Sequence, residues 1–309
     1  MSGPDPWLAG MLVVSVLFGL GAPGLSKRIP PKPAVWLLSV GSLLVAGGAV
    51  VAPALVVVTV AGQWPVLAGW GDWSARFLAS SVSADGIVAI SATLVLAIQL
   101  WRLGRTMYAR GRELISAWVA CRDASAELVV IADARPMVFA VPGWPGRVVA
   151  SRGLLQHLEP AERRAVLAHE QGHLRDRHDL HLFVGALAAA ADPLLLRIPA
   201  ALRLATERSA DEASAAETGD RRLVATAIGS VADLCSPGAH LAAAVEVTGS
   251  DVSLRVRSLL GEPPRRRPLL QAVLVVLAAA SVALAGIGVF DTKHLFELAE
   301  RAHLVALHR

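Results

Sequence analysis

Hydrophobic and polar positions alternate along this chain in two distinct ways. Residues 7–25, 34–60, 87–101 and 269–290 are apolar on every side and hold no charged residue. A helix needs about 20 such residues to cross the hydrocarbon core of a bilayer. The four runs therefore predict four transmembrane helices, of which 87–101 is short and 34–60 long enough to cross with tilt, with Pro53 as a candidate kink. The first run has no positive segment before it and no small-residue cleavage site after it, so it reads as an anchor and not as a signal peptide.

Between the third and fourth runs the period shortens and then lengthens. Leu128–Ile131, Met137–Val141 and Arg147–Ser151 are β-favouring, and Pro142-Gly143-Trp144-Pro145-Gly146 separates the last two as a turn. A small sheet with a hairpin is expected. An exposed strand of such a sheet can pair with an extended peptide. Helical spacing follows. Pro160 suits a first helical position and Glu162 the positive end of a helix dipole, while Ala165, Val166, Leu167 and Ala168 supply a buried side. A second helix is expected from Pro199 to about Thr218. The apolar run 182–196 between them is interrupted by Asp192 and Pro193. As a helix it would be about 22 Å long, short of a core of about 30 Å. Residues 219–260 read as helical with a break at Pro237-Gly238, and 293–309 as a short amphipathic helix on the membrane surface.

Composition fixes the setting. Hydrophobic residues make up 54% of the chain and charged residues 17%, well under the usual quarter. Lysine and arginine are placed unevenly. Lys27, Arg28 and Lys32 follow the first run, Arg102, Arg105, Arg110 and Arg112 the third, and Arg265, Arg266 and Arg267 precede the fourth; the loop between the second and third holds Arg76 alone. Four crossings put all three clusters on one side, which the positive-inside rule makes cytosolic. The expected layout is a membrane region 1–101, a cytosolic domain 102–268, a fourth span 269–290 and a short extracytoplasmic tail 291–309, with both termini outside. The isoelectric point near 9.7 is then topogenic, and no nucleic-acid-binding module is visible. Cys121 and Cys235 lack metal spacing and are expected as reduced thiols.

The chemistry sits on the helix that starts near Pro160, in His169-Glu170-Gln171-Gly172-His173. Two histidines four apart on a helix project from one face, the spacing two imidazoles need to share one Zn²⁺. Glu170 is placed to act as general base on a water activated by the ion. Gly172 costs about 1 kcal/mol of helix propensity against alanine, which a close approach by another backbone or by substrate would justify. Catalytic zinc takes three protein ligands. His178 has the wrong spacing for the extended HExxHxxGxxH motif, because Asp176 and Asp179 occupy the glycine and histidine positions. Glu207 is the better third ligand. Asp211, four residues on, can accept a hydrogen bond from the far nitrogen of a ligand histidine, and Ala210 lets two helices pack closely. If His173 and Glu207 hold one ion, the run between them must return to its starting side, as a buried or membrane-dipping helix bent at Pro193. The bland readings are a solvated polar patch for HEQGH and a solvated face for Glu207 and Asp211. His157, His178, His181 and His240 read as structural or surface residues.

The order of parts resembles the BlaR/MecR family of membrane metallopeptidases, the antirepressors of β-lactam signalling. That order is three spans, a hairpin ending in Val148-Val149-Ala150-Ser151-Arg152-Gly153-Leu154-Leu155, HEQGH, a hydrophobic helix, Glu207-Arg208-Ser209-Ala210-Asp211, and a fourth span. The HExGH and ExxAD pair is also similar to the HtpX and CAAX-endopeptidase group. The resemblance implies a mainly α integral membrane protein with about four transmembrane helices and a gluzincin-type zinc metallopeptidase domain containing a small β-sheet. It implies His169, His173 and Glu207 as ligands of one Zn²⁺, Glu170 as base, and a protein substrate such as a winged-helix transcriptional repressor or the protease itself. Sensor members of that family carry a penicillin-binding domain after the fourth span; here residues 291–309 follow it, so an attached β-lactam receptor is not expected. The alternatives are an HtpX-like quality-control protease of membrane proteins and a non-proteolytic membrane receptor with a structural zinc.

Overall fold

The computed structural model describes residues 6–82, 86–121, 126–143, 145–235 and 242–308. In chain order the elements are α1 (Pro6–Ser26), α2 (Pro31–Ala61), α3 (Pro65–Trp70), α4 (Ala75–Ser81), α5 (Gly86–Cys121), β1 (Leu128–Ile131), β2 (Val138–Val141), β3 (Arg147–Ser151), α6 (Arg152–His157), α7 (Pro160–Arg175), α8 (His178–Ala191), a 3₁₀ turn at Pro193–Leu195, α9 (Ile198–Thr218), α10 (Arg221–Cys235), α11 (Ala242–Leu260) and α12 (Pro268–Leu307). The three strands form one sheet ordered β1-β3-β2, with β1 parallel and β2 antiparallel to β3. The chain is thus mainly helical with one small sheet, and each strand falls where β-branched residues cluster.

Four helices are long and apolar enough to cross a membrane: Pro6–Ser26, Pro31–Ala61, Gly86–Ser116 and Pro268–Leu307. Leu12, Leu17 and Leu20 on α1, Leu94 and Ile98 on α5, and Val275 and Val276 on α12 are exposed. An apolar exterior of this kind suits lipid and not water. The opposite faces meet in a core built from Phe18, Leu38, Val45, Leu195, Leu202 and Leu274. This core joins α1, α2 and α12 to the 3₁₀ turn and α9. Gly19 makes part of that contact possible, since a Cβ there would stand 2.1 Å from the carbonyl oxygen of Leu194.

Helix extents differ from the sequence expectation in two places. The apolar run 87–101 ends at Trp101, but α5 continues to Cys121; the arginine-, leucine- and alanine-rich sequence after it favours helix as strongly as the apolar run does. The tail does not form a separate surface helix. The fourth span runs unbroken into it as α12, ending at Leu307. Phe296 stacks edge-on against Trp73 at 5.2 Å, and Ala299 is buried and accepts a hydrogen bond from the Ser74 backbone. Tertiary packing against the 63–82 connection anchors this end of the helix. The break at Pro237-Gly238, His240 and the side chains of Cys121 and Cys235 lie outside the described residues.

The run 182–196 folds as expected for a returning segment. α8 ends at Ala191, Asp192 caps the 3₁₀ turn through Leu194 N, and α9 starts at Ile198. α8 and α9 pack against α2, and α9 packs along α7. A second core, with Leu154, Leu158, Val166, Val224 and Leu259, ties α7 to α6, α10 and α11. The helices carrying the candidate site therefore sit between the membrane bundle and the remaining helices.

Candidate metal centre

Helix α7 starts with Pro160 in its first turn and is closed by a capping box in which Glu159 N donates to Glu162 Oε2 at 3.0 Å. It presents His169 and His173 toward α9, which presents Glu207 and Asp211, and places Glu170 in the cavity wall with β2. The helices approach closely at Gly172, where a Cβ would meet Ala210 Cα at 3.4 Å. The approach is close, but a Cβ there would make only ordinary contacts, so the packing allows alanine as well as glycine.

The imidazoles turn their Nε2 atoms toward each other, 3.1 Å apart, and Glu207 places Oε2 3.5 Å from His169 Nε2 and Oε1 3.5 Å from His173 Nε2. Candidate ligand atoms of the three residues all lie within 4.8 Å of one another. Ligands at 2.0–2.1 Å around a tetrahedral zinc stand about 3.3 Å apart, so the donor set fits that ion in type and spacing. The site is open on one side, to a cavity of about 330 Å³. Val138, Phe139 and Ala140 of β2 form part of its wall, with Glu170, Leu174 and Leu182. Glu170 lies beside the candidate ligands and shares the cavity wall with Ala140; burial raises its pKa.

Asp211 is 2% exposed and stands 3.0 Å from His169 Nδ1. Burial alone would lower the His169 pKa, but the Asp211 and Glu207 carboxylates outweigh it and raise it to about 9. His173 moves the other way, to about 4, through burial and the neighbouring His169. Burial would raise Glu207, yet His169 and Arg255 hold it down at about 2.

Residues 105–239 match the family model of Peptidase family M48. No curated protein and no solved structure matched the chain. The M48 segment runs from within α5 to just past α10, so it contains the sheet, α7 and α9 and all three candidate ligands. M48 enzymes are metal-dependent peptidases, which agrees with the His169, His173 and Glu207 group.

One residue at the site escaped the sequence reading. Arg255 comes from α11, beyond the M48 match. It grips Asp211 with two nitrogens at 2.7 and 2.9 Å and reaches Glu207 Oε2 at 2.9 Å. Nothing in its spacing marks it; the one sequence hint is an arginine set between apolar Leu254 and Val256. His178, read from the sequence as a structural or surface residue and not a ligand, is buried against His173 with the two Nδ1 atoms 3.0 Å apart. His181 is likewise buried, bonded to Ser39. Arg208 and Arg221, near the site in sequence, are engaged elsewhere: Arg208 with the Lys27 carbonyl, and Arg221 with Glu212 and the carbonyls of Ser258 and Leu259.

Proposed function

We propose that this chain is a membrane-embedded zinc endopeptidase of the M48 type, acting on proteins at the cytosolic membrane face. The observation that carries the reading is the convergence of His169, His173 and Glu207 beside Glu170 on the wall of an open cavity. His169, His173 and Glu207 would hold one zinc ion. Bound there, zinc polarises a scissile carbonyl and acidifies the attacking water. Glu170 takes the water proton and delivers it to the leaving amine; its burial favours the protonated form that the second half of this exchange needs. Asp211 orients His169. Substrate backbone lies along the free edge of β2, in line with the cavity. A structural zinc would be closed by a fourth protein ligand and would have no use for Glu170.

Sidedness rests on contacts as well as charge. The basic segment from the end of α1 to the first turn of α2 touches the site helices and the turn after α7, through Lys32 to Asp176 at 3.0 Å and Arg208 to the Lys27 carbonyl. These contacts support placing the segment and the active site on one face, which the positive-inside rule expects to be cytosolic. The likeness to BlaR/MecR antirepressors favours a signalling substrate, such as a winged-helix repressor. The test is Glu170→Gln in the full-length protein. It should bind one zinc as wild type does and lose at least about 100-fold in cleavage of an unfolded test protein. Proteomics of cells carrying either form should show fragments that vanish with the variant. Cleavage at the wild-type rate by Glu170→Gln would refute the mechanism.

A further inference from the structure

The two imidazoles that face Glu207 are held differently on their far sides. His169 turns Nδ1 to a carboxylate, Asp211 at 3.0 Å. His173 turns Nδ1 to another neutral-capable ring, with His178 Nδ1 at 3.0 Å and the rings edge-to-face at 83°. We propose that His178 is a positioning residue of the metal site: it accepts the Nδ1 proton of His173 and so fixes the tautomer whose Nε2 lone pair points at the ion. The proposal rests on the reading of His173 as a metal ligand.

The proton count forces the roles. An imidazole that offers Nε2 to a metal carries its proton on Nδ1. Two nitrogens at hydrogen-bond distance share one proton, so His178 Nδ1 offers a lone pair and its own proton sits on Nε2. Such partners orient the ligand ring and raise its basicity.

The fold spends strain to place this ring. After α7 the chain turns through Arg177, whose φ of 50° lies in the left-handed region that side chains rarely adopt. α8 then begins on His178, which is 2% exposed. One turn later His181 bonds Ser39 Oγ at 2.8 Å and stacks edge-on against Trp36, both on α2. Lys32, also on α2, pairs with Asp176 at 3.0 Å. The position of His178 is thereby set by the metal helix on one side and a membrane helix on the other.

The test measures zinc affinity of the full-length protein in detergent, by competition with a chelating dye. His178→Asn puts a carbonyl oxygen where Nδ1 sits and keeps an acceptor; His178→Leu fills the space without one. The Leu variant should bind zinc about 10- to 100-fold more weakly and the Asn variant within a few-fold of wild type. Wild-type affinity in His178→Leu overturns the proposal, and so does an equal loss in both variants, which would mean the ring only packs. A wild-type protein that takes up no zinc would instead sink the metal reading itself. Should His178→Leu fail to fold, the ¹⁵N-histidine spectrum of zinc-loaded wild type decides. Protonation of His173 at Nδ1 and of His178 at Nε2 is expected, and a bare His173 Nδ1 overturns the proposal.

Discussion

Substitution of Gly172 tests whether the contact between α7 and α9 sets the metal geometry. A methyl group there meets Ala210 Cα and Ala213 Cβ at 3.4 Å and Ala210 Cβ at 3.6 Å, close but ordinary contacts. Gly172→Ala should be accepted. It gains up to about 1 kcal/mol of helix propensity, less what the tight contacts take back, which corresponds to a melting shift of at most about 2–4 °C. Gly172→Leu is different. Its next carbon lies about 1.5 Å further out, against the backbone of a helix whose Ala210 is fully buried. The helices must part by a comparable distance, while zinc ligation tolerates only about 0.2 Å. Glu207 stands one turn before Ala210 on the moving helix, so it leaves the ion. If the protein holds the ion regardless, the overpacking energy of about 1–3 kcal/mol is drawn from binding, a weakening of about 10- to 100-fold. Metal content after dialysis, together with thermal unfolding, reads both effects. Wild-type zinc affinity in Gly172→Leu, or loss of zinc in Gly172→Ala, would refute the claim that this helix spacing sets the site.

Other outcomes follow from the same geometry. Arg255→Met leaves buried Asp211 without its guanidinium and should cost the metal-stripped protein about 3–5 kcal/mol, but less when zinc supplies positive charge nearby; equal losses with and without zinc would contradict this. A proton and a metal ion compete for His169, whose pKa is raised to about 9. Because the proton is bound below that value and absent above it, zinc affinity should climb as pH rises to about 9 and then level off, with about one proton expelled at pH 7. Calorimetry in two buffers of unlike ionisation enthalpy counts that proton, and a count of zero would refute the assignment. Chelation should abolish cleavage and added zinc restore it; cleavage that survives a strong chelator would point to another mechanism.

What could be read from the sequence was what local spacing dictates. The strands at 128–131 and 147–151 match in their limits because β-branched runs and a Pro-Gly turn bound them. Helix α7 starts at Pro160 for the reason its composition gave, and Glu207 meets the imidazoles because residues four apart on facing helices converge when small residues separate them. The misjudged lengths of α5 and α12 have the opposite cause. Hydropathy marks where a helix leaves lipid, not where it ends, and the packing of Phe296 on Trp73 has no signature in either segment alone.

Arg255 shows where such reading stops, and also how far charge arithmetic could have extended it. Glu170, Glu207 and Asp211 bring three carboxylates to one place, and the proposed zinc ion would supply two positive charges against them. With the histidines neutral, a buried site of this composition is left with one negative charge, which a low-dielectric setting does not tolerate unpaired. A further cation was therefore favoured by the motif pair itself. Its identity was not, since several arginines lie nearer in sequence than residue 255. The choice is made by tertiary packing, which turns α11 against α9 so that one guanidinium spans Asp211 and Glu207 together. A bidentate fork can do this and a lysine cannot.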